Sequence, residues 1–82
     1  MIRPTKPSAI DLDALCCGET GQVESLIGPE SIRRRLLEMG FVPGSQVRYV
    51  MPTPFGDPRV YALRGANIAL RRAEARCIRL SV

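Results

Sequence analysis

The chain has 82 residues, 45% of them hydrophobic, and a formal net charge of +4. A chain of this length forms one small domain with a thin core, and its hydrophobic content argues against global disorder. No apolar stretch approaches about 20 residues, the length needed to cross a bilayer, and the N-terminus lacks the apolar run of a secretory signal. We therefore expect a cytoplasmic protein.

Positive charge is concentrated in the second half of the chain. Residues 41–82 hold seven basic and two acidic side chains, whereas residues 1–40 hold five basic and six acidic ones. Eleven of the twelve basic residues are arginine, whose planar guanidinium pairs with carboxylates and phosphates through two hydrogen bonds. The basic half therefore suits an acidic protein surface, an anionic membrane face or nucleic acid.

The first residues and the first strand differ sharply in pattern. Residues 1–10 contain two prolines and no periodic pattern, which predicts a flexible tail, so we expect the folded domain to span residues 11–82. A strand is predicted over residues 20–27. The adjacent Leu26 and Ile27 indicate a bulge or a strand end.

One helix is predicted after this strand. Pro29 fits the first helical position, and Gly40 ends the helix by taking a left-handed conformation. Three apolar residues at i, i+4 and i+7 form one stripe that faces the core, namely Ile32, Leu36 and Met39. Leu37 lies away from that stripe.

Four further short strands follow, rich in β-forming residues and separated by turn residues: 46–51, 59–64, 67–70 and 78–82. A type II turn at 42–45, a loop at 52–58 and a single helical turn at 72–76 connect these elements. We expect Tyr49 and Tyr61 to pack in a barrel with their hydroxyls reaching solvent. Short strands in a small chain protect their edges best by curling into such a barrel.

The sequence lacks the usual equipment of an enzyme. It contains no histidine, the commonest general base and metal ligand. The acidic residues are scattered, the serines lack a base to activate them, and the glycines fall at turns and not in a phosphate-binding loop. We therefore predict a protein that is not an enzyme, with no catalytic, cofactor-binding or metal-binding residues and no cofactor.

The three cysteines are Cys16, Cys17 and Cys77. A structural zinc site needs about four nitrogen or sulfur ligands, and three thiols without histidine fall short of that number. Because free cysteine is among the most buried residue types, we expect buried and inert thiols. The alternative is a thiol-based iron or redox sensor.

Three segments carry a resemblance to a known family. The run Ile32-Arg-Arg-Arg-Leu-Leu-Glu-Met-Gly-Phe-Val-Pro-Gly-Ser ends the predicted helix and enters a strand. It resembles the signature of the FeoA family, small accessory proteins of bacterial ferrous iron uptake. The residues 54–58 resemble the hairpin tip of that family, and residues 65–75 followed by 78–80 resemble its closing stretch. The matches keep their order and spacing over residues 11–82.

The resemblance implies a mainly β fold, a small SH3-like β-barrel of about five strands with a short α-helix inserted after the first strand. It implies a cytosolic accessory protein that binds the membrane transporter FeoB, which has a cytoplasmic GTPase domain, and modulates it or helps to assemble it. It also associates the chain with iron homeostasis and transition metal ion binding. Direct membrane insertion is not expected, and weak self-association stays open.

A similar domain ends metal-dependent repressors of the diphtheria-toxin-repressor type. Because the chain begins with Met and lacks a helix-turn-helix, the standalone interpretation is preferred.

Four residues are candidates for contact with a partner. Leu37 is apolar but lies off the buried stripe, although a helix that crosses the barrel would cover it too. Phe55 is a large aromatic at a hairpin tip, although it could fold back onto the barrel. Arg34 and Arg35 could pair with acidic groups of a partner, although a solvated helix face is the favoured explanation.

Nucleic-acid binding is the other alternative function, because small basic barrels often bind DNA or RNA. Only four aromatic residues are present, which makes a poor stacking platform for bases. No nucleic-acid partner is therefore expected.

Overall fold

The computed structural model describes residues 9–81, while residues 1–8 and Val82 lie outside the described residues. One antiparallel sheet of six strands runs in the order β1-β6-β2-β3-β4-β5. The strands are β1 (Ala9–Asp11), β2 (Thr20–Leu26), β3 (Gln46–Pro52), β4 (Arg59–Leu63), β5 (Ala66–Leu70) and β6 (Ile78–Ser81). The helical elements are a short 3₁₀ segment (Leu12–Ala14), α1 (Glu30–Met39) and α2 (Arg72–Ala75).

The predicted fold class, mainly β with one helix inserted between strands, is confirmed, but the strand count is six and not about five. The additional strand is β1, which pairs with β6 through Ala9 opposite Ser81 and Ile10 opposite Leu80. The prediction of a tail over residues 1–10 was therefore wrong for its last two residues. Along the described chain no ladder joins the edge strands β1 and β5, so the sheet is open.

The helix α1 forms where the sequence predicts it. Pro29 has a φ of −60° and lies at the N-cap, one position before the helix, while Gly40 has a φ of 110° and ends it. That left-handed conformation costs glycine little because it has no Cβ. Of the predicted stripe, Leu36 is fully buried, and Ile32 and Met39 are partly buried against the core.

The core lies between α1 and one face of the sheet. Its fully buried members come from every part of the described chain, among them Leu12, Leu36, Phe41, Tyr61, Leu70, Ile78 and Leu80. Gly21 allows β2 to approach this core, since a Cβ at that position would lie 2.7 Å from Cδ1 of Leu80. No helix within residues 9–81 combines the length and the apolar character that spanning a bilayer requires.

The cysteines differ from the prediction of buried thiols. Cys77 is buried, but Cys16 and Cys17 are exposed, because they lie in the tight turn that precedes β2, where Gly18 has a φ of 91°. Cys77 lies at the opposite end of β2, where its carbonyl accepts a hydrogen bond from Ile27. A strand of seven residues spans about 20 Å. The fold therefore keeps the three thiols from sharing one site.

Leu36 and Leu37 give a direct test of the helix placement. We expect Leu36→Ala to lower the free energy of unfolding by about 2–5 kcal/mol, since it opens a cavity in the core. We expect Leu37→Ala, the matched control on the same helix, to cost about 1 kcal/mol or less. Urea denaturation followed by circular dichroism measures both, and equal losses would contradict the placement of α1.

Candidate partner-binding surface

The loop between β3 and β4, residues 53–58, is held closed by its own hydrogen bonds. The Thr53 hydroxyl donates to the carbonyl of Pro58 at 2.6 Å, and the backbone N–H of Gly56 donates to the carbonyl of Thr53 at 2.9 Å. A third bond fixes the loop to α2, where the backbone N–H of Arg72 donates to Oδ1 of Asp57 at 3.0 Å. We call this segment the Phe55 loop.

Phe55 stands at the tip of this loop with 94% of its side chain exposed. The alternative that it folds back onto the barrel is therefore wrong. The hydrogen bonds of the loop order its backbone on folding, so little further backbone entropy is lost when Phe55 enters a pocket of a partner. Its role in partner binding remains a prediction.

Leu37 is 46% exposed, as its position off the stripe predicts. Arg35 and Leu37 each lie about 100° from the buried Leu36, in opposite directions around the helix. Arg35 faces α2, where it forms an ion pair with Glu74. Since α2 also holds the Phe55 loop, Leu37 lies on the flank of α1 that faces away from Phe55, so the two predicted apolar contacts do not form one patch.

The two candidate arginines have different partners. Arg34 is exposed and pairs with Glu30 one helical turn earlier, at 3.5 Å, which is a weak surface ion pair. Arg35 binds Glu74, whose other carboxylate oxygen accepts the backbone N–H of Arg71 at 3.0 Å. The structure therefore joins Arg35 to α2 and the Phe55 loop, whereas Arg34 stands apart on the solvated face of α1.

A buried carboxylate lies beneath this region. The side chain of Asp13 is only 10% exposed and forms ion pairs with three arginines. Arg72 binds it with two bonds, Nε to Oδ1 at 2.9 Å and Nη2 to Oδ2 at 3.3 Å. Arg76 donates from Nε to Oδ2 at 3.3 Å, and Nη1 of Arg59 lies 3.2 Å from Oδ1. Asp13 thus ties the 3₁₀ segment to β4 and α2.

The pKa of Asp13 reflects two opposing effects. Burial acts to raise it, but the hydrogen bonds and positive charge of Arg72, together with Arg59 and Arg76, outweigh burial and hold the pKa below its ordinary value of 3.8. In return, the hydrogen bonds and negative charge of Asp13 raise the pKa of Arg72. The carboxylate is therefore ionised at neutral pH, and all three arginines face a full negative charge.

Arg59 also organises the two tyrosines. Its guanidinium lies 5.0 Å from the centre of the Tyr49 ring, a favourable cation–π arrangement, and the rings of Tyr49 and Tyr61 lie 5.4 Å apart. The expectation that both hydroxyls reach solvent was wrong for Tyr61. Its side chain is fully buried, and this burial raises the pKa of the hydroxyl, although the neighbouring Arg59 acts to lower it.

Four residues that form the Asp13 cluster were not predicted from the sequence, namely Asp13, Arg59, Arg72 and Arg76. A local signal was present, because Asp13 lies between Leu12 and Leu15, both of which are buried. An acidic residue inside a buried apolar stretch needs a positive partner. The identity of that partner could not be predicted, because each arginine lies at least 46 residues further along the chain.

A surface groove lies apart from this region. It is an open groove of about 730 Å³, lined by Thr20, residues 42–48, Ala62, Arg64 and Gly65. None of the four predicted contact residues lines it. Within residues 9–81 no three His, Cys, Asp or Glu side chains come together in a way that could hold a metal ion.

Comparison with known proteins gives consistent results. Residues 10–82 match the sequence profile of the FeoA domain. The chain is 36% identical over 64 residues to a protein of Porphyromonas gingivalis described as an Fe(2+) transport protein A/Fe(2+) transporter FeoB fusion protein. That match covers 78% of this chain but only 8% of the fusion protein.

Two solved structures share the fold. A FeoA-like protein from Clostridium acetobutylicum has 28% sequence identity and a TM-score of 0.85, covering 94% of this chain and 90% of its own. The FeoA of Stenotrophomonas maltophilia, described as a complex with zinc and as a unique procaryotic SH3 domain protein, has 33% identity and a TM-score of 0.77. It covers 88% of this chain and 89% of its own. The SH3-like fold predicted from the sequence is thereby confirmed.

The Asp13 cluster predicts a specific pH dependence of stability. Since the folded state lowers the pKa of Asp13, its stabilising contribution is complete above the unfolded value of 3.8 and is lost as the pH falls through the lower, folded-state pKa. We expect Asp13→Asn to reduce the free energy of unfolding by about 1–3 kcal/mol at neutral pH. Urea titrations should show that this difference shrinks below pH 3.8. A difference independent of pH would contradict the cluster.

Proposed function

Since the chain belongs to the FeoA family, we propose that it acts in ferrous iron uptake as a cytoplasmic accessory protein. It binds a FeoB-type membrane transporter through protein–protein contact and modulates that transporter or helps to assemble it. The cytoplasmic GTPase domain of such a transporter is the part available for this contact.

The fusion protein of Porphyromonas gingivalis is the observation that carries this proposal. In one polypeptide it combines a segment similar to this chain with a FeoB transporter. Fusion holds two binding modules at a high effective concentration and makes their contact intramolecular. A separate chain with the same fold has to find its transporter by diffusion, so its surface needs residues that provide affinity.

The Phe55 loop is the part of the described surface that best meets this need. Aromatic residues and arginine dominate the binding energy of protein interfaces, and here an exposed phenylalanine lies on a loop whose Asp57 is bonded to the backbone of Arg72 in α2. Arg35, one of the predicted contact residues, reaches the same region through Glu74. Leu37 and Arg34 would contact the transporter only if it also covers the far flank of α1.

The proposal gives the chain no enzymatic activity. The chain contains no histidine, and the buried Asp13 is held ionised by three arginines, so it is a poor proton donor at neutral pH. Its carboxylate serves to hold the surface in place.

The placement of the aromatic residues disfavours the nucleic-acid alternative. Phe41 and Tyr61 are fully buried, Tyr49 is 6% exposed, and only Phe55 is open to solvent. Binding of single strands relies on several exposed aromatic side chains on which bases stack. One exposed ring does not make such a platform.

Phe55→Ala tests the proposed contact. We expect the affinity for the purified transporter to fall about tenfold or more, because an aromatic anchor is lost from the interface. Unfolding free energy should stay within about 0.5 kcal/mol of the wild type, since the side chain is exposed. Calorimetric titration of the transporter, reconstituted in nanodiscs, measures the affinity.

Met51→Ala is the matched control, because Met51 lies on the same hairpin and is 50% exposed. The affinity of Met51→Ala for the transporter should remain within about twofold of that of the wild type. If Phe55→Ala binds as tightly as Met51→Ala, the Phe55 loop is not the contact. If the wild type does not bind the transporter, the proposed function is wrong.

A further inference from the structure

Charges beside the Phe55 loop are arranged in two layers. The carboxylates of Asp13 and Glu74 are each only 10% exposed, whereas the side chains of Arg35, Arg72 and Arg76 are 59%, 41% and 61% exposed. The acids therefore lie beneath the arginines. A molecule that approaches from solvent meets guanidinium groups first. We call Arg35, Arg72 and Arg76 the arginine face.

The arginine face is held in place from below. Arg72 and Arg76 both bind Asp13 through Nε, and Arg35 binds Glu74 through Nη2. These bonds leave other donors unused, because Nη1 of Arg72 and both Nη atoms of Arg76 bond to no residue within 9–81. A free arginine loses considerable rotamer entropy when it binds a ligand, and a side chain that is already held loses less.

We propose that the arginine face, together with Phe55, binds an acidic segment of a protein partner. Carboxylates of that segment accept hydrogen bonds from the unused Nη donors, while an apolar pocket of the partner covers Phe55. Asp13 is the positioning residue, since it orients two of the three arginines without touching the partner. This inference rests on the proposed function, because the acidic segment belongs to the transporter.

An anionic membrane is the competing ligand, and net charge decides against it. Five arginines in this region, the arginine face with Arg59 and Arg71, are offset by Asp13, Asp57 and Glu74, so the region carries a net charge of about +2. Attraction to anionic lipid amounts to about 1 kcal/mol per unpaired basic residue near the surface, which is too weak for stable binding. Recognition of carboxylates depends instead on donors in fixed positions, and these are present.

Asp13→Asn distinguishes between an acidic protein segment and an anionic membrane. It makes the surface more positive, and it removes the carboxylate that holds Arg72 and Arg76 in place. If fixed donors provide affinity, binding to the transporter in neutral-lipid nanodiscs falls about fivefold or more. If diffuse positive charge provides affinity, binding becomes tighter. Glu24→Gln is the matched control, since it makes the same change in charge at an exposed position of β2. The affinity of Glu24→Gln for the transporter should be equal to or slightly above that of the wild type.

Arg76→Gln keeps the test decisive if Asp13→Asn does not fold, because Arg76 is 61% exposed. We expect about a fivefold loss of affinity at low salt and a smaller loss at high salt. Arg48→Gln lies at an exposed position of β3, and its affinity for the transporter should remain within about twofold of that of the wild type. Unchanged affinity in Arg76→Gln, or tighter binding in Asp13→Asn, would overturn the inference while leaving the proposed function intact. Binding to phosphatidylserine vesicles as tight as binding to the transporter would also overturn it.

A peptide titration is independent of the transporter. The Nε–H groups of Arg72 and Arg76 are hydrogen-bonded, so they should give observable NMR signals. Addition of a synthetic glutamate-rich peptide should shift both signals in the wild type, and in Arg76→Gln the same peptide concentration should shift the remaining Arg72 signal less. No shift at either arginine would contradict the inference, whatever the transporter experiments show.

Discussion

The carboxylate of Asp13 connects three parts of the chain that no strand ladder joins. It is 10% exposed, accepts hydrogen bonds from Arg72 in α2 and from Arg76 just after α2, and forms an ion pair with Arg59 in β4. Removal of the Asp13 charge would leave Arg59, whose side chain is only 17% exposed, without its counter-charge, which costs more than the loss of a surface ion pair. The position of α2, and with it the outer surface of the domain, depends on this contact.

This contact also explains why one short helix can support a binding surface. A helix of four residues has no stability of its own, so α2 depends on its connections. Its side chains reach Asp13, its backbone holds Asp57 of the Phe55 loop, and Glu74 binds Arg35 of α1. The same bonds that stabilise the fold therefore join the loop that carries an exposed phenylalanine to the helix next to three arginines. An accessory protein with a thin core can in this way present a rigid surface.

Features governed by neighbouring residues could be predicted from the sequence, and those governed by distant contacts could not. The helix and its core-facing stripe follow from periodicity and from Gly40, and the turn residues around Phe55 predict its place at a hairpin tip, although the sequence left open whether the ring folds back onto the barrel. The strand β1 was missed because its three residues become a strand only by pairing with β6, near the other end of the chain. The Asp13 cluster was missed for the same reason. The exposure of Cys16 and Cys17 was missed because free cysteine is usually buried. These two residues lie in a turn, and whether that turn faces solvent depends on the whole fold.

The central claim is that the chain works through the surface formed by the Phe55 loop and α2. The most direct test is an NMR titration of the isotope-labelled full chain with the FeoB-type transporter in nanodiscs, following every backbone amide. The account predicts that amides of residues 53–58 and 71–76 shift or broaden first and most strongly. A footprint confined to the open groove at residues 42–48, or the absence of any change, would contradict it.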